Sequence, residues 1–371
     1  DGQEFELASD LFSADFQQDS DLDGVSDIVE RTFGTDIDSP ADYPLEGSIK
    51  VIEENRNGIE EFSSSSMSRL YEGDDGIWHR GTHTLSFYNH SGRLIWSFPA
   101  GVRDYFEDDS FFLEPQGKLI YCGAAFNKRR NRMLFGLTKT AFQLTTLGAT
   151  GSCADLGKTT APNGFRLGLE LVNGDIASHR YLNAYRWHAD TNVTDEVLAP
   201  CGSITESLVP TPQSGFIAST NYCFYQLNAD NSVPWSKTGP RLSYKSRLMG
   251  IDAQLIQASD SFIDKYDKQG QVLWTYEHPT PISELSLSLG GNILFASDNQ
   301  IVVLNPQGVL LRTLPAPGVD QDARLLHAQS GLLWIADFTK AELYTMMYQD
   351  DQPAVPLFWP TYFGPSSGSN N

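Results

Sequence analysis

Across 371 residues a two-part phrase recurs, mostly at intervals of 38–41 residues. In its clearest copies an Asn or Asp stands three residues before a glycine, between two strands of alternating polarity. That spacing is the mark of a hairpin whose glycine adopts the left-handed conformation. Two hairpins per period of roughly 40 residues predict one four-stranded antiparallel sheet per repeat. A repeat of such sheets predicts an all-β fold, a seven-bladed β-propeller.

The first half of the phrase is a turn leading into an apolar strand. It reads Gly76-Ile-Trp78, Gly117–Tyr121, Gly174–Ala177, Gly215–Ala218, Ala253–Ile256, Gly291–Ala296 and Gly331–Ile335, at intervals of 41, 57, 41, 38, 38 and 40 residues. The second half is strand, polar turn, strand: Leu85–Trp96 across Gly92, Phe262–Trp274 across Gly270, and Ile301–Arg312 across Gly308, with a degenerate copy over Tyr222–Trp235. Trp235, Trp274 and Arg312 occupy one position of the phrase, where a large side chain fills the widening gap between neighbouring sheets. A single sheet cannot bury both of its faces, and stacking sheets radially buries them on one another. A β-sandwich also has short strands but not a sustained period. Residues 47–54 or Val355–Trp359 are the segments expected to complete the sheet in which the chain ends meet.

The stretch Tyr266-Asp-Lys-Gln-Gly-Gln-Val-Leu-Trp274, with 83–98 and 291–312, resembles the repeats of quinoprotein-like (PQQ-like) propellers, and the period is WD40-like. This resemblance implies the fold more than an activity, because propellers host enzymes and binding platforms alike. Quinone dehydrogenases of that kind use a vicinal Cys pair and usually eight blades. This chain has neither the pair nor the eighth repeat.

Ahead of the repeats the sequence turns acidic. Residues 1–60 hold 17 Asp/Glu against 3 Lys/Arg, while the remaining 311 hold 30 against 23. Two-thirds of the net charge of −21 therefore sits in one-sixth of the chain. Within it, Asp19-Ser-Asp21-Leu-Asp23-Gly24-Val25-Ser-Asp27-Ile-Val-Glu30 fits the twelve-residue loop D-x-D-x-D-G-x-x-x-x-x-E. Ca²⁺ takes six to eight oxygen ligands, and alternate residues of a tight loop supply them. Asp19, Asp21 and Asp23 offer carboxylates, Val25 its carbonyl, Asp27 a direct or water-bridged oxygen, and Glu30 both oxygens. Gly24 permits the turn. The fold class expected is thus a seven-bladed propeller preceded by a short EF-hand-like calcium-binding loop. No amphipathic helix precedes the loop; a short helix over Ile28, Val29 and Thr32 follows it and ends at Gly34. Residues 19–42, running on to Gly34-Thr-Asp36, resemble a single thrombospondin type 3-like calcium repeat. That resemblance implies a structural or spacer role at extracellular calcium. Ile37 replaces the family's usual Pro, which argues against a second ion on Asp36, Asp38 and Asp42.

The domain reading is a calcium-binding repeat over 1–46, a propeller over 47–362 and a loose tail over 363–371. Ser63–Ser66 and Ser68 read as a flexible entry to the first blade. The acidic balance argues against a nucleic-acid partner, which needs a clustered positive field, and no run of 18 apolar residues is present to span a membrane. The opening Asp1-Gly2-Gln3-Glu4 shows no secretory signal, and the calcium repeat points to a secreted, periplasmic or cell-surface location. Cys122, Cys153, Cys201 and Cys223 form no C-x-x-C pair, which disfavours zinc and thiol redox chemistry. Two readings stay open: disulfides, with Cys122–Cys153 and Cys201–Cys223 preferred, or four buried thiols.

Two polar stretches carry candidate chemistry. His79, Arg80, His83 and His90 cluster early, and His179-Arg-Tyr181-Leu-Asn-Ala-Tyr185-Arg186-Trp-His188 follows in a later repeat. A polysaccharide lyase draws on this palette, with Arg neutralising a uronate and His or Tyr moving protons. The same residues also suit blade faces and edge strands. Lys128–Arg132 is the one basic run, either a solvated loop tip or a contact for an anionic polymer. Asn89-His-Ser91 and Asn192-Val-Thr194 match the glycosylation triplet and read as turns. The leading expectation is a binding or assembly module for protein or carbohydrate, with a propeller polysaccharide lyase as the alternative.

Overall fold

The computed structural model describes residues 18–53; 69–99 apart from 74–75 and 81–83; the strand segments 111–113, 119–123, 133–136 and 145–147; 166–238 with short interruptions; and 246–350 apart from 329 and 338–341. Among the described residues there are one short helix and seven four-stranded antiparallel sheets. The chain divides into two compact units, Asp1–Gly101 with Ser283–Thr361, and Val102–Ile282 with Tyr362–Asn371. The all-β expectation holds, and the period of the phrase matches the run of sheets.

Numbering strands in chain order, the first unit holds three sheets. One is β2 (Arg69–Gly73), β3 (Gly76–Arg80), β4 (Thr84–Tyr88) and β5 (Leu94–Pro99). A second is β22 (Ser286–Leu287), β23 (Ile293–Ser297), β24 (Gln300–Leu304) and β25 (Leu310–Pro315). The third combines distant parts of the chain. Its order is β1 (Ile49–Glu53), β28 (Glu342–Met347), β27 (Leu332–Asp337) and β26 (Arg324–His327). Segment 47–54 thus supplies the outer strand, with Ile49 opposite Met346 and Val51 opposite Tyr344. Val355–Trp359 lies outside the described residues.

The second unit holds four sheets in simple sequence order. They are β6–β9 (Phe111–Leu113, Leu119–Gly123, Met133–Gly136, Thr145–Leu147) and β10–β13 (Arg166–Glu170, Ile176–Arg180, Asn183–His188, Val193–Leu198). The others are β14–β17 (Thr205–Pro210, Phe216–Thr220, Cys223–Leu227, Ser236–Thr238) and β18–β21 (Ser246–Met249, Leu255–Ala258, Phe262–Tyr266, Val272–Glu277).

The turns show why the phrase has its spelling. In Asp267–Gln271 the Asp267 amide donates to the Gln271 carbonyl, and Gly270 sits at φ 71°. Asp267 Oδ1 accepts from the amides of Gln269 and Gln271 at 2.9 and 2.7 Å, which is why a short acceptor side chain opens the turn. Asn305 serves Gln307 and Val309 in the same way. In the degenerate copy Asn231 takes the left-handed place at φ 62°, since Asn tolerates it best after Gly. In the β14–β15 turn the left-handed residue is Ser214, one place before the glycine the spacing selects. Gly215 is needed there for closeness, because a Cβ would stand 2.4 Å from the Leu227 carbonyl oxygen.

Burial follows strand position. β23 and β27 are buried at every residue, while the outer strand β25 is mostly exposed. In the first unit Leu294, Ala296, Ile301 and Val303 pack on Leu333, Ile335, Tyr344 and Met346. In the second, Phe224 meets Tyr266 and Trp235 edge-on at 5.0 and 5.5 Å. Trp235 fills the inter-sheet gap its position in the phrase predicts. Cys153 and Cys201 lie outside the described residues, and of Cys122 only the backbone is described. Cys223, buried on β16, carries no free thiol, which counts against the reading of four buried thiols at that position.

Candidate metal centre

The acidic loop folds on itself before any ion is considered. The Asp27 amide donates to the Gln18 carbonyl at 2.8 Å and closes the loop's base. Leu22 and Gly24, at φ 61° and 93°, turn the chain at its tip. One oxygen of each of three aspartates is taken up by the loop's own amides. Gly24 donates to Asp19 Oδ2 at 2.9 Å, Asp23 to Asp21 Oδ1 at 3.2 Å, and Val25 to Asp23 Oδ1 at 2.7 Å.

The other oxygens have no donor. Asp19 Oδ1, Asp21 Oδ2, Asp23 Oδ2 and both carboxylate oxygens of Glu30 are buried without a hydrogen-bond partner. Ligand atoms of Asp19, Asp21 and Asp23 lie within 4.8 Å of one another, and among the described residues theirs is the one such grouping. Glu30 is fully buried. Burial first, then the charges of Asp21, Asp23, Asp27 and Asp19, push its carboxyl up to about 7. Burial likewise raises Asp21. Five acceptor-only oxygens withdrawn from water without donors are a costly arrangement. A hard cation with oxygen ligands removes that cost, and five carboxylate oxygens plus the Val25 carbonyl make the six ligands that Ca²⁺ accepts.

Asp27 is placed differently from its neighbours. Its two oxygens accept from the Ser20 amide and hydroxyl, both at 2.8 Å, so it braces the loop. The carboxylates of Asp36 and Asp42 turn to local amides: Asp38 donates its N–H to Asp36 Oδ1, and Asp36 donates its own to Asp42 Oδ2. The expected helix follows the loop as α1 (Asp27–Phe33), with Ser26 at its N-cap and Gly34 left-handed at φ 81° after its end.

The second polar stretch is structural in large part. On β12, Ala184, Arg186 and His188 share one face, and Arg186 is fully buried. Its guanidinium donates to Asn231 Oδ1 at 3.0 Å and to the carbonyls of Ser214 and Asn228, both at 2.7 Å. His188 sits between Asp175 on Nδ1 at 3.1 Å and Asp195 on Nε2 at 2.9 Å. The bond to Asp195 leads the effects that raise its pKa. Tyr185 points the other way and donates to Glu196 at 3.2 Å. The even spacing of Ala184, Arg186 and His188 was the available sign that these side chains share a buried face; the partners on another sheet left no sign. Of the early cluster, His79 is half-buried on β3, Arg80 ends that strand and His90 is buried in the following turn. His83, Tyr181 and Lys128–Arg132 lie outside the described residues.

No family model and no curated protein matches the sequence. Solved structures do resemble it. Virginiamycin B lyase from Staphylococcus aureus is 13% identical, with a TM-score of 0.56 over 81% of this chain and 100% of that one. The β-propeller domain of Cps50 (Swd1) from Myceliophteria thermophila is 10% identical, with a TM-score of 0.56 over 81% and 100%. The WD40 β-propeller domain of Doa1 is 14% identical, with a TM-score of 0.54 over 82% and 97%. The fold is propeller-like. At such identities the likeness speaks of architecture alone. Among the described residues no helix is long and apolar enough to cross a membrane.

Proposed function

We propose that this protein is a calcium-binding, seven-bladed β-propeller of the cell exterior that works as a binding or assembly module for protein or polysaccharide. The seven sheets would be its blades, with β1 beside β28 closing the ring. The observation that carries the calcium reading is the set of five buried carboxylate oxygens without donors on Asp19, Asp21, Asp23 and Glu30. Val25 supplies the carbonyl ligand, and Asp27 a brace or a water-bridged contact. The thrombospondin type 3-like character of residues 19–42, the extracellular setting and the pairings Cys122–Cys153 and Cys201–Cys223 belong to the same reading.

A binding role is favoured over the lyase because two of the lyase's candidates, Arg186 and His188, are already engaged. Arg186 is fully buried in bonds that join two sheets, and His188 has a carboxylate on each ring nitrogen. Arg186 cannot meet a substrate without dismantling the interior, and His188 cannot without giving up a carboxylate. The fold itself hosts many activities and decides nothing.

Calcium titration by calorimetry tests the first claim. One ion per chain is expected for the wild type, and the Asp19→Ala, Glu30→Ala double variant should abolish the heat; unchanged binding in that variant removes the claim. For the second, alginate, pectin, ulvan and glycosaminoglycans are screened for ultraviolet absorbance of unsaturated uronates. No absorbance is expected, and a positive signal replaces the binding module with the lyase.

A further inference from the structure

We infer that the acidic loop clamps the closure of the β1–β28 sheet, so that calcium binding and the pairing of β1 are energetically coupled. The inference rests on the calcium reading above. It starts from a chain that alternates between two tasks over eight residues. On the calcium reading Val25 gives the ion a carbonyl and Glu30 a carboxylate. Between and beyond them, Ser26, Val29 and Thr32 hold the sheets of the first unit.

Those contacts span two sheets at one end. Ser26 Oγ donates to the Ser330 carbonyl at 3.1 Å, in the turn between β26 and β27. Thr32 Oγ1 shares its one proton between the Ile28 carbonyl of its own helix at 2.7 Å and the Ser91 carbonyl at 3.1 Å, in the turn between β4 and β5. Lys50, on β1 itself, donates to the Thr32 carbonyl. Beneath them Val25 and Val29 are buried with Ile77 and Tyr88 of one sheet and Leu332, Trp334 and Met347 of the other, while Phe33 and Ile52 pack alongside. A Cβ built on Gly331 would stand only 3.7 Å from Val29 Cγ2.

A helix of seven residues does not hold itself together in water. Its position depends on its packing and on the loop fused to its first turn. Glu30 belongs to both: its carboxylate faces the acidic cluster, and its carbonyl accepts the closing amides of Gly34 and Thr35 at 2.7 and 3.1 Å. Without an ion, Asp19, Asp21, Asp23 and Glu30 repel one another, and the relief available is to open the loop and release α1. Release takes away the Thr32 anchor of Lys50 and opens the packing around Ile52, two contacts of β1 beyond its pairing with β28, and leaves Ile49 against the core of the neighbouring sheet. With the ion bound, the loop, α1 and β1 are held as one body. Coupling of this kind is reciprocal, so weakening the docking must weaken the ion's affinity.

Hydrogen exchange on the full chain, with calcium or with a chelator, reads this directly. At calcium one hundred times Kd, the amides of β1 that donate to β28 should exchange about a hundredfold more slowly than without it, since opening that releases the ion is slowed by 1 + [Ca²⁺]/Kd. Amides of β15 and β16 should not change. In calorimetry Val29→Ala and Thr32→Val, which leave every ligand in place, should each weaken calcium binding several-fold, whereas Val309→Ser, exposed in the turn between β24 and β25, should not. If calcium binds one to one but the β1 amides exchange equally with and without it, the clamp is wrong and the calcium site stands. If calorimetry detects no calcium binding, the site and the clamp both fall.

Discussion

Arg186 on β12 donates through Nη1 to the carbonyl of Ser214 at 2.7 Å, and so joins one sheet to a turn of the next. The same side chain reaches the carbonyl of Asn228 and the amide oxygen of Asn231 in a second turn of that sheet. Its guanidinium also lies 5.5 Å from the Phe216 ring centre and 3.6 Å from Asp175. A fork of donors spread over two turns is a task for arginine, since an ammonium cannot reach three fixed acceptors at once. Removing it takes the charged donor from the carbonyls of Ser214 and Asn228, and the cation from beside the buried Asp175, which keeps Asn173 and His188. Arg186→Met should lower unfolding free energy by about 3 kcal/mol, within the range for breaking a buried charged network, and Arg186→Lys should recover little of it. Urea midpoints of the three proteins give the answer; a Met variant as stable as the wild type would show that the network contributes nothing.

Next to Arg186, His188 gives the second unit a pH-dependent element. Asp195 and Asp175 bond its two ring nitrogens and raise its pKa, and Arg186 and Asp230 are the other charges of the network. A proton on both nitrogens satisfies both carboxylates, so the charged imidazole is the form the fold prefers. A raised folded pKa contributes stability that is complete below the ordinary histidine value of about 6.5 and lost as pH rises through the folded value. The stability advantage of wild type over His188→Gln should therefore be larger at about pH 6 than at about pH 9. An advantage that is flat between them would mean that the histidine does not charge.

These two residues mark where sequence reading stops. The strands were legible because period-two alternation and the Asn/Asp-x-x-Gly turns are local signals, set by side-chain direction and by one left-handed residue. β1 was legible as one of two candidates, since closing an edge needs a strand from a distant part of the chain. The carboxylates of the acidic loop were visible together because they lie within twelve residues. Arg186 was visible as a polar residue, but its partners Ser214, Asn228 and Asn231 lie 28, 42 and 45 positions away. Sequence spacing carries no mark of a contact formed by stacking one sheet on another. The docking of Val25 and Val29 against Trp334 was hidden for the same reason.

Two glycines separate backbone strain from crowding. Gly270 and Gly34 both hold φ in the left-handed region, at 71° and 81°. A Cβ at Gly34 meets nothing within 4 Å, whereas one at Gly270 would stand 2.8 Å from Trp235 Cε3. Gly34→Ala should cost only the conformational penalty of about 1 kcal/mol. Gly270→Ala adds overpacking against an indole that is itself bonded through Nε1 to Gln226, and should cost about 2–4 kcal/mol. Thermal unfolding of the two variants should place Gly270→Ala well below Gly34→Ala. Equal shifts would mean that Trp235 moves aside freely.

His327 should make the first unit sensitive to acid, in the sense opposite to His188. It is buried against Tyr348, ring centres 4.9 Å apart, and its Nδ1 accepts the Leu289 amide at 3.0 Å. That bond places the ring proton on Nε2 and leaves the imidazole neutral. Burial lowers its pKa to about 4, although Asp350 stands 3.6 Å away. The carboxylate cannot turn fully to the ring, because Ser288, Gly290, Asn292 and Tyr348 all donate to it. With a folded pKa below the unfolded one, the unfolded chain takes up a proton first as pH falls from about 6.5 toward 4. Over that window the wild type should lose on the order of 3 kcal/mol more than His327→Gln, whose amide oxygen can still accept from Leu289. Urea unfolding at several pH values, compared between the two proteins, isolates this residue from the carboxylates that titrate in both. A difference that stays constant with pH would mean that His327 keeps its ordinary pKa in the folded protein.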